Sequence, residues 1–172
     1  SVGQEAGNGY RYNTAFENQK VYYQGQFTIG NSDQLAVSGG YVRNKFGANG
    51  FFASGKESEE KVNTTLASIA YKTELTSFWT LLPSFSYRNN VDDFIYIKQT
   101  PDVSHNHHVT DVLNAALNNV FTTGIGEFGL GFEARKELIN STNLGKRTRD
   151  NSGVYAEYKF DKLENLSVNL GT

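Results

Sequence analysis

Apolar and polar residues alternate with a period of two along most of the chain. Phe128, Leu130 and Phe132 fall on one side of an extended strand, whereas Gly129, Gly131 and Glu133 would fall on the other. The same alternation recurs in residues 23–29, 35–41, 67–72, 79–88, 113–118 and 154–160. The pattern predicts about eight β-strands, the last near Leu166 and cut short at Gly171 and Thr172.

One segment is open to two interpretations. Residues 111–121 contain enough alanine and leucine to form a helix on propensity alone. Asn114, Asn118 and Asn119 disfavour a helix, and Leu113 and Leu117 fit the alternation of a strand. We therefore predict a strand.

Connections of two kinds separate the predicted strands. Short turn signals lie at residues 30–33, 74–77, 122–126 and 161–165, and longer polar stretches lie at 44–60, 89–106 and 140–152. The two kinds alternate along the chain. In an up-and-down antiparallel sheet, alternate connections emerge at the same end. The sequence therefore predicts short turns at one end of the sheet and long loops at the other.

Two environments can accommodate strands with one apolar and one polar face. In a soluble sandwich the apolar face packs against a second sheet, whereas in a membrane barrel it faces lipid and the polar face lines a wet lumen. Segregated connections favour the barrel, as do aromatic residues beside the short turns. These are Phe27, Phe78, Trp79, Phe121, Phe128 and Phe160. We predict an all-β fold, an antiparallel up-and-down transmembrane β-barrel section of about eight strands.

Composition narrows the functional classes. The chain has 172 residues, with 16 Lys and Arg against 18 Asp and Glu, so its net charge of -2 gives no basic surface for nucleic acid. No apolar run approaches the roughly 20 residues of a spanning helix. There is no Cys, which excludes disulfides and thiolate metal sites. The 10 Tyr, 12 Phe and 17 Gly are typical of β-proteins.

No enzyme signature emerges from the motifs. Residues 124–129 (GIGEFG) match the dinucleotide-binding pattern, but alternation follows them rather than a helix, so a tight hairpin turn is the better interpretation. The three histidines lie close together and no nucleophile elbow is present, so no Ser-His-Asp arrangement is expected. We predict no catalytic residues and no cofactor.

His105, His107 and His108 form the one histidine cluster, in a predicted loop. Imidazoles at this spacing can chelate a borderline metal, with Asp102 or Asp111 supplying an oxygen. A solvated loop is the default interpretation, and we assign no metal site. His107 and His108 alternate across any strand that begins there, so at most one of them faces a lumen.

The remaining charged residues are interpreted structurally. Arg88 with Asp92 and Asp93, and Glu133 with Arg135, are predicted to form ion pairs that line the polar face. Residues 146–149 (KRTR) are predicted to be a solvated charge run in a long loop.

Four segments resemble the barrel of TonB-dependent outer-membrane receptors, and the likeness is closest to the cobalamin-receptor-like branch. They are residues 45–52 (KFGANGFF), 108–111 (HVTD), 129–135 (GLGFEAR) and 139–145 (INSTNLG). The resemblance covers nearly the whole chain from about Gly9. It implies a large closed barrel with an N-terminal plug domain, which imports a scarce ligand such as a corrinoid or metal chelate with energy delivered through TonB.

The chain departs from that family in its extent. It contains no plug domain and no TonB box, it lacks a terminal aromatic residue, and it does not begin with Met. We therefore interpret residues 1–172 as a partial β-barrel domain truncated at both ends.

We expect a receptor section in the bacterial outer membrane whose partners are the nutrient, membrane lipid and TonB through the plug. Aromatic and polar loop residues are the expected ligand contacts. They are Phe46, Asn49, Phe51, Phe52, Asp92, Phe94, Tyr96, His105 and His107. The alternatives are a small self-closed eight-stranded barrel that acts as an adhesin or structural protein, and a soluble β-sandwich binding module.

Overall fold

The computed structural model shows one antiparallel sheet of nine strands in sequence order, so the predicted all-β up-and-down topology is confirmed. It describes residues 1–30, 32–51, 54, 56–163 and 166–172, with only the backbone of 161–163 and 166. The strands are β1 Val2–Gly7, β2 Phe16–Ile29, β3 Asp33–Asn49, β4 Glu57–Thr76, β5 Trp79–Ile95, β6 His105–Thr123, β7 Gly126–Ser141, β8 Gly145–Leu163 and β9 Leu166–Gly171. One short helix, α1 (Pro101–Ser104), precedes β6.

The two ends of the sheet carry different connections, as the turn signals predicted. At one end β4 and β5 are joined by residues 77–78, and β6 and β7 by residues 124–125. At the other end residues 8–15, 50–56 and 96–104 form longer connections. We call these the short-turn end and the long-loop end.

The strands are longer than the sequence predicted, and all three predicted long loops are correspondingly shorter. The prediction for residues 140–152 was wrong, because only residues 142–144 lie between β7 and β8. Residues 146–149 therefore belong to β8, and the histidine cluster belongs to β6 rather than to a loop. These polar segments of β6 and β8 remain extended because water can hydrate both faces of the sheet near the long-loop end.

Nine strands replace the predicted eight, because β1 was missed. In its sequence, VGQEAG, the residues after Val2 are small or polar and show no clear alternation, so periodicity does not reveal the strand. β1 is held by pairing along β2, from Val2 opposite Val21 to Gly7 opposite Phe16. Residues 111–121 form part of β6, so the prediction of a strand there is confirmed.

Cross-strand pairing places the alternating residues of successive strands on common faces. Ile69 pairs with Phe85, Phe85 with Ala115, and Ala115 with Ala134. Directly paired residues of an antiparallel sheet point to the same side. This row and its equivalents define the apolar face, and the intervening residues define the polar face.

No second layer of protein covers the apolar face in the part of the chain that the structure describes. Phe85, Leu130 and Phe132 are 44%, 49% and 47% exposed, and Ala48 is the only apolar residue buried among those described. A sandwich would enclose these side chains against an opposing sheet. The single sheet of the described residues therefore has no sandwich core.

The polar face is concave. Ser38, Arg88 and Glu133, from β3, β5 and β7, line one groove on it. Tyr155 of β8 lies over Gly131 and donates a hydrogen bond to Asn118 Oδ1 of β6 at 2.7 Å. A Cβ atom at Gly131 would come within 2.1 Å of the Tyr155 ring, so the glycine permits this contact across three strands.

The sheet formed by the described residues does not close on itself. β9 pairs with β8, and β2 pairs with β1 and β3, so the strand near Leu166 does not pair with the strand near Tyr22. The self-closed eight-stranded barrel is thus not observed. No helix among the described residues is long and apolar enough to cross a membrane.

Candidate functional site

An apolar band occupies the half of the apolar face nearer the short-turn end. On β5 it runs from Trp79 through Leu81, Pro83 and Phe85 to Tyr87. Neighbouring strands continue it through alternate residues of 21–29, 35–41, 65–71, 113–121, 128–134 and 154–158. Apart from Asn119 and a few small or hydroxyl side chains, these positions are aliphatic or aromatic. The band is therefore a continuous apolar surface.

Tyrosines border this band, and their hydroxyls bond to groups beyond it. Towards the long-loop end, the Tyr87 hydroxyl donates to Asp111 Oδ1 at 2.6 Å. At the short-turn end, the Tyr158 hydroxyl donates to the Ile125 carbonyl at 2.6 Å and the Tyr71 hydroxyl donates to Asp33. The rings lie on the apolar surface while the polar tips reach away from it.

Beyond the band, towards the long-loop end, the same face of the sheet becomes charged. Glu59 forms ion pairs with Lys45 at 3.2 Å and with Lys98 at 3.1 Å. Burial alone would raise the pKa of Glu59, but the hydrogen bonds from Lys98 and Lys45 outweigh it and hold that pKa below its ordinary value. The apolar band thus does not extend to the long-loop end of this face.

Asp93, His105 and His107 come together on this charged part of the face. Asp93 Oδ1 lies 2.7 Å from His107 Nδ1 and 3.1 Å from His105 Nε2. Burial raises the pKa of Asp93, but the hydrogen bonds from the two histidines reverse the effect and lower it overall. The sequence suggested that Asp111 could supply an oxygen beside the histidines. The Asp111 carboxylate instead accepts hydrogen bonds from Tyr87 and Asn89.

His108 is separated from this cluster by the alternation of β6. Its Nδ1 lies 2.7 Å from Ser141 Oγ, and it pairs across the strands with Asp92 on the polar face. His107 and His108 therefore lie on opposite faces of the sheet, as the alternation predicted.

On the concave polar face, three aromatic side chains and two carboxylates gather at the long-loop end. Phe46 pairs with Phe16 on one side and with Glu60 on the other, and Glu60 pairs with Phe94. Asp92 lies two residues from Phe94, on the same face. We call these five residues the concave patch.

Unpaired acceptors make the concave patch suited to a ligand. Asp92 Oδ1 and the neighbouring Asn44 Oδ1 are buried and accept no hydrogen bond within the described part of the chain. Burial, and then the charge of Asp92, raise the pKa of Glu60. A molecule that combines apolar surface with hydrogen-bond donors would contact the aromatic rings, and it would reach these oxygens once the side chains that cover them move aside.

The structure brings together some of the ligand residues predicted from sequence. Phe46, Asp92 and Phe94 share the concave patch, and the Tyr96 ring lies 6.3 Å from that of Phe94. The other predicted residues lie elsewhere. Asn49 donates a hydrogen bond to the Tyr12 carbonyl, and Phe51 is exposed in the 50–56 connection. His105 and His107 lie on the opposite face of the sheet from the concave patch. Phe52 lies outside the described residues.

Sequence reasoning missed Phe16 and Glu60. Neither lies in a motif, and their relation to Phe46 and Phe94 depends on how β2, β3, β4 and β5 are aligned. Only the cross-strand register could have revealed them.

A second charged network lies on the polar face at β7 and β8. Arg135 Nη2 lies 2.6 Å from Glu137 Oε1, and Arg149 Nε donates to Glu137 Oε2 at 2.6 Å. Arg135 thus pairs with Glu137, whereas the sequence suggested Glu133. The hydrogen bond from Arg149 lowers the pKa of Glu137.

No family model matches this chain, and no curated protein matches it at a significant level. The functional conclusion therefore depends on the geometry described above.

The Glu137 network predicts a specific pH dependence. We expect Arg149→Gln to raise the pKa of the Glu137 carboxyl, because the guanidinium that favours the charged form is lost. A carboxyl whose pKa is lowered on folding stabilises the native state above its unfolded pKa, and this contribution disappears as the pH falls through the folded pKa. The variant should therefore lose less stability than the parent on acidification. Carbon-detected NMR titration of Glu137 checks this, and identical pKa values in the two proteins would contradict it.

Proposed function

We propose that this chain is a section of a bacterial outer-membrane β-barrel, with the apolar band against hydrocarbon and the concave polar face lining an aqueous lumen. From Trp79 to Tyr87 the band covers eight residue steps, roughly 26 Å along the strand at about 3.3 Å per residue. A strand tilt of roughly 40° reduces this to about 20 Å along the membrane normal. This height is close to the apolar belt of outer-membrane barrels.

The tyrosines at both borders of the band are the observation that carries the proposal. Tyr87 directs its hydroxyl towards the long-loop end, and Tyr158 and Tyr71 direct theirs towards the short-turn end. Aromatic rings with outward polar tips are favoured where hydrocarbon meets water. A face built to pack against another sheet has no need of such borders on two opposite sides.

The open edges favour a barrel larger than this section. Strand edges in hydrocarbon must be paired, because unsatisfied backbone groups there cost several kcal/mol each. β1 and β9 each have one strand neighbour. Further strands beside them would complete the barrel, as in the receptor family that the sequence resembles.

Within such a barrel, we assign the section to a receptor that captures a bulky nutrient and imports it with energy from TonB. The concave patch supports this role, because it offers Phe46 and Phe94 as flat contacts and Asp92 as an unpaired acceptor at the long-loop end. A corrinoid or a metal chelate carries both apolar surface and hydrogen-bonding groups. The plug domain that contacts TonB would come from outside these residues.

The membrane orientation predicts different outcomes for two neighbouring substitutions. Ile69 lies in the apolar band and Ala70 on the polar face, and both are exposed in the isolated sheet. We expect Ile69→Lys to destabilise the intact barrel folded in lipid vesicles by about 2–4 kcal/mol, because a lysine would face the bilayer interior. Ala70→Lys, the matched control, should change stability by less than about 1 kcal/mol. Urea-dependent folding into vesicles measures both. Equal tolerance of the two lysines would contradict the lipid-facing assignment.

The receptor role predicts that the concave patch contributes to ligand affinity. In the intact receptor, we expect Phe94→Ala and Phe46→Ala each to weaken binding of cyanocobalamin or ferric citrate, whichever binds, by about tenfold, because each removes a flat apolar contact. Phe85→Ala, on the lipid-facing side, serves as control. Isothermal titration calorimetry in detergent checks this. Binding of neither compound would contradict the nutrient class, and unchanged affinity in both variants would contradict the site.

A further inference from the structure

Three metal-ligating side chains converge near the long-loop end, on the same face of the sheet as the apolar band. Asp93 of β5 pairs directly with His107 of β6, and His105 lies two residues from His107 on the same face. The candidate ligand atoms of all three residues lie within 4.8 Å of one another. Two paired strands hold them, so the arrangement does not depend on a loop.

The separations suit a small divalent cation. Ligands of tetrahedral Zn²⁺ at about 2.0 Å from the ion lie about 3.3 Å from each other. Asp93 Oδ1 lies 2.7 Å from His107 Nδ1 and 3.1 Å from His105 Nε2. Since all three candidate atoms lie within 4.8 Å of one another, side-chain rotations that separate Asp93 from the two imidazoles would allow one ion to contact all three.

The donor set selects the class of metal. Two imidazole nitrogens with one carboxylate oxygen favour borderline transition metals such as Zn²⁺ over Mg²⁺ or Ca²⁺, which prefer oxygen ligands alone. The side chains of His105, His107 and Asp93 are 46%, 41% and 29% exposed, so water can reach the ion. Three protein ligands leave a fourth tetrahedral position for that water.

The surrounding charges limit the affinity. Lys61 of β4 lies directly across from Asp93 on the same face, and its positive charge opposes a second cation. Glu59, nearby on β4, is already paired with Lys45 and Lys98. The site is therefore expected to bind its metal less tightly than a closed structural zinc site.

We propose that Asp93, His105 and His107 form a surface site for a divalent transition metal, with Zn²⁺ as the best-matched physiological ion. The bound ion ties β5 to β6 beside the 96–104 connection and stabilises that corner of the sheet. The site lies on the opposite face from the concave patch. It does not rest on the proposed receptor function.

Zinc titration of matched variants tests the proposal. The protein is prepared without a polyhistidine tag, treated with chelator, and titrated with Zn²⁺ by isothermal calorimetry in detergent. We expect saturable binding of one Zn²⁺ per chain, and a loss of affinity of at least about tenfold in both His107→Ala and Asp93→Asn. Asp93→Asn keeps the shape of the side chain, so its effect reports the lost anionic ligand rather than misfolding. His108→Ala, which removes the neighbouring imidazole on the other face, should leave the affinity unchanged.

Cobalt provides a second, independent measurement. Co²⁺ at this site should show the intense visible absorption of a tetrahedral ion, and Zn²⁺ should displace it. Absence of saturable Zn²⁺ binding would overturn the proposal. So would an equal loss of affinity in His108→Ala, or full affinity in both His107→Ala and Asp93→Asn. Circular dichroism of the metal-free variants confirms that each retains its strands.

Discussion

The apolar face of the sheet is not covered by any other part of the chain that the structure describes. The stability and orientation of the sheet depend on what covers this face. Burial of apolar surface is the main favourable term in folding, at about 25 cal/mol per Å² removed from water. The sheet leaves Phe85, Leu130 and Phe132 half exposed, and Ala48 is the only buried apolar residue described. Backbone hydrogen bonds between the strands therefore order the sheet. The free energy of burying its apolar face must come from contact with whatever covers that face.

In the proposed barrel, hydrocarbon covers this face, and the shape of the surface supports that proposal. The band is bounded at both ends, tyrosine hydroxyls leave it in opposite directions, and ion pairs lie farther along the same face towards the long-loop end. A protein partner would be expected to satisfy polar groups within its own footprint, whereas a bilayer is apolar in the middle and wet on both sides. The concavity of the polar face is the curvature that the proposed barrel requires, because the inside of a barrel is the smaller, wetter side. The concave patch and the histidine cluster then occupy opposite faces of one rim.

The sequence allowed most of the sheet to be predicted, because the alternation of residues such as Phe128, Leu130 and Phe132 is a local property. The segregation of short turns followed from the spacing of turn signals. β1 was missed because its small and polar residues carry almost no period, and its position is determined by pairing with β2. The strand through residues 146–149 was missed because a strand that is hydrated on both faces lacks the apolar–polar alternation that predicts a strand.

The candidate sites were harder to predict, since they depend on register. Asp93 meets His107 because β5 and β6 pair at those residues, whereas the sequence suggested Asp102 or Asp111 as the oxygen ligand beside the histidines. Glu60 joins Phe46 and Phe94 for the same reason. A shift of one residue in either pairing would have placed these groups on opposite faces.

The depth of the single tryptophan in a bilayer tests the membrane orientation most directly. Trp79 lies on the apolar face at the short-turn border, stacked 5.8 Å from Phe121, and it is the only tryptophan in the chain. In vesicles made with lipids brominated at different depths, bromine near the headgroup should quench Trp79 most strongly. A Phe85→Trp change in a Trp79→Phe background should move the strongest quenching to bromine near the bilayer centre. If no brominated lipid quenches either tryptophan, the apolar face does not contact hydrocarbon and the account is wrong.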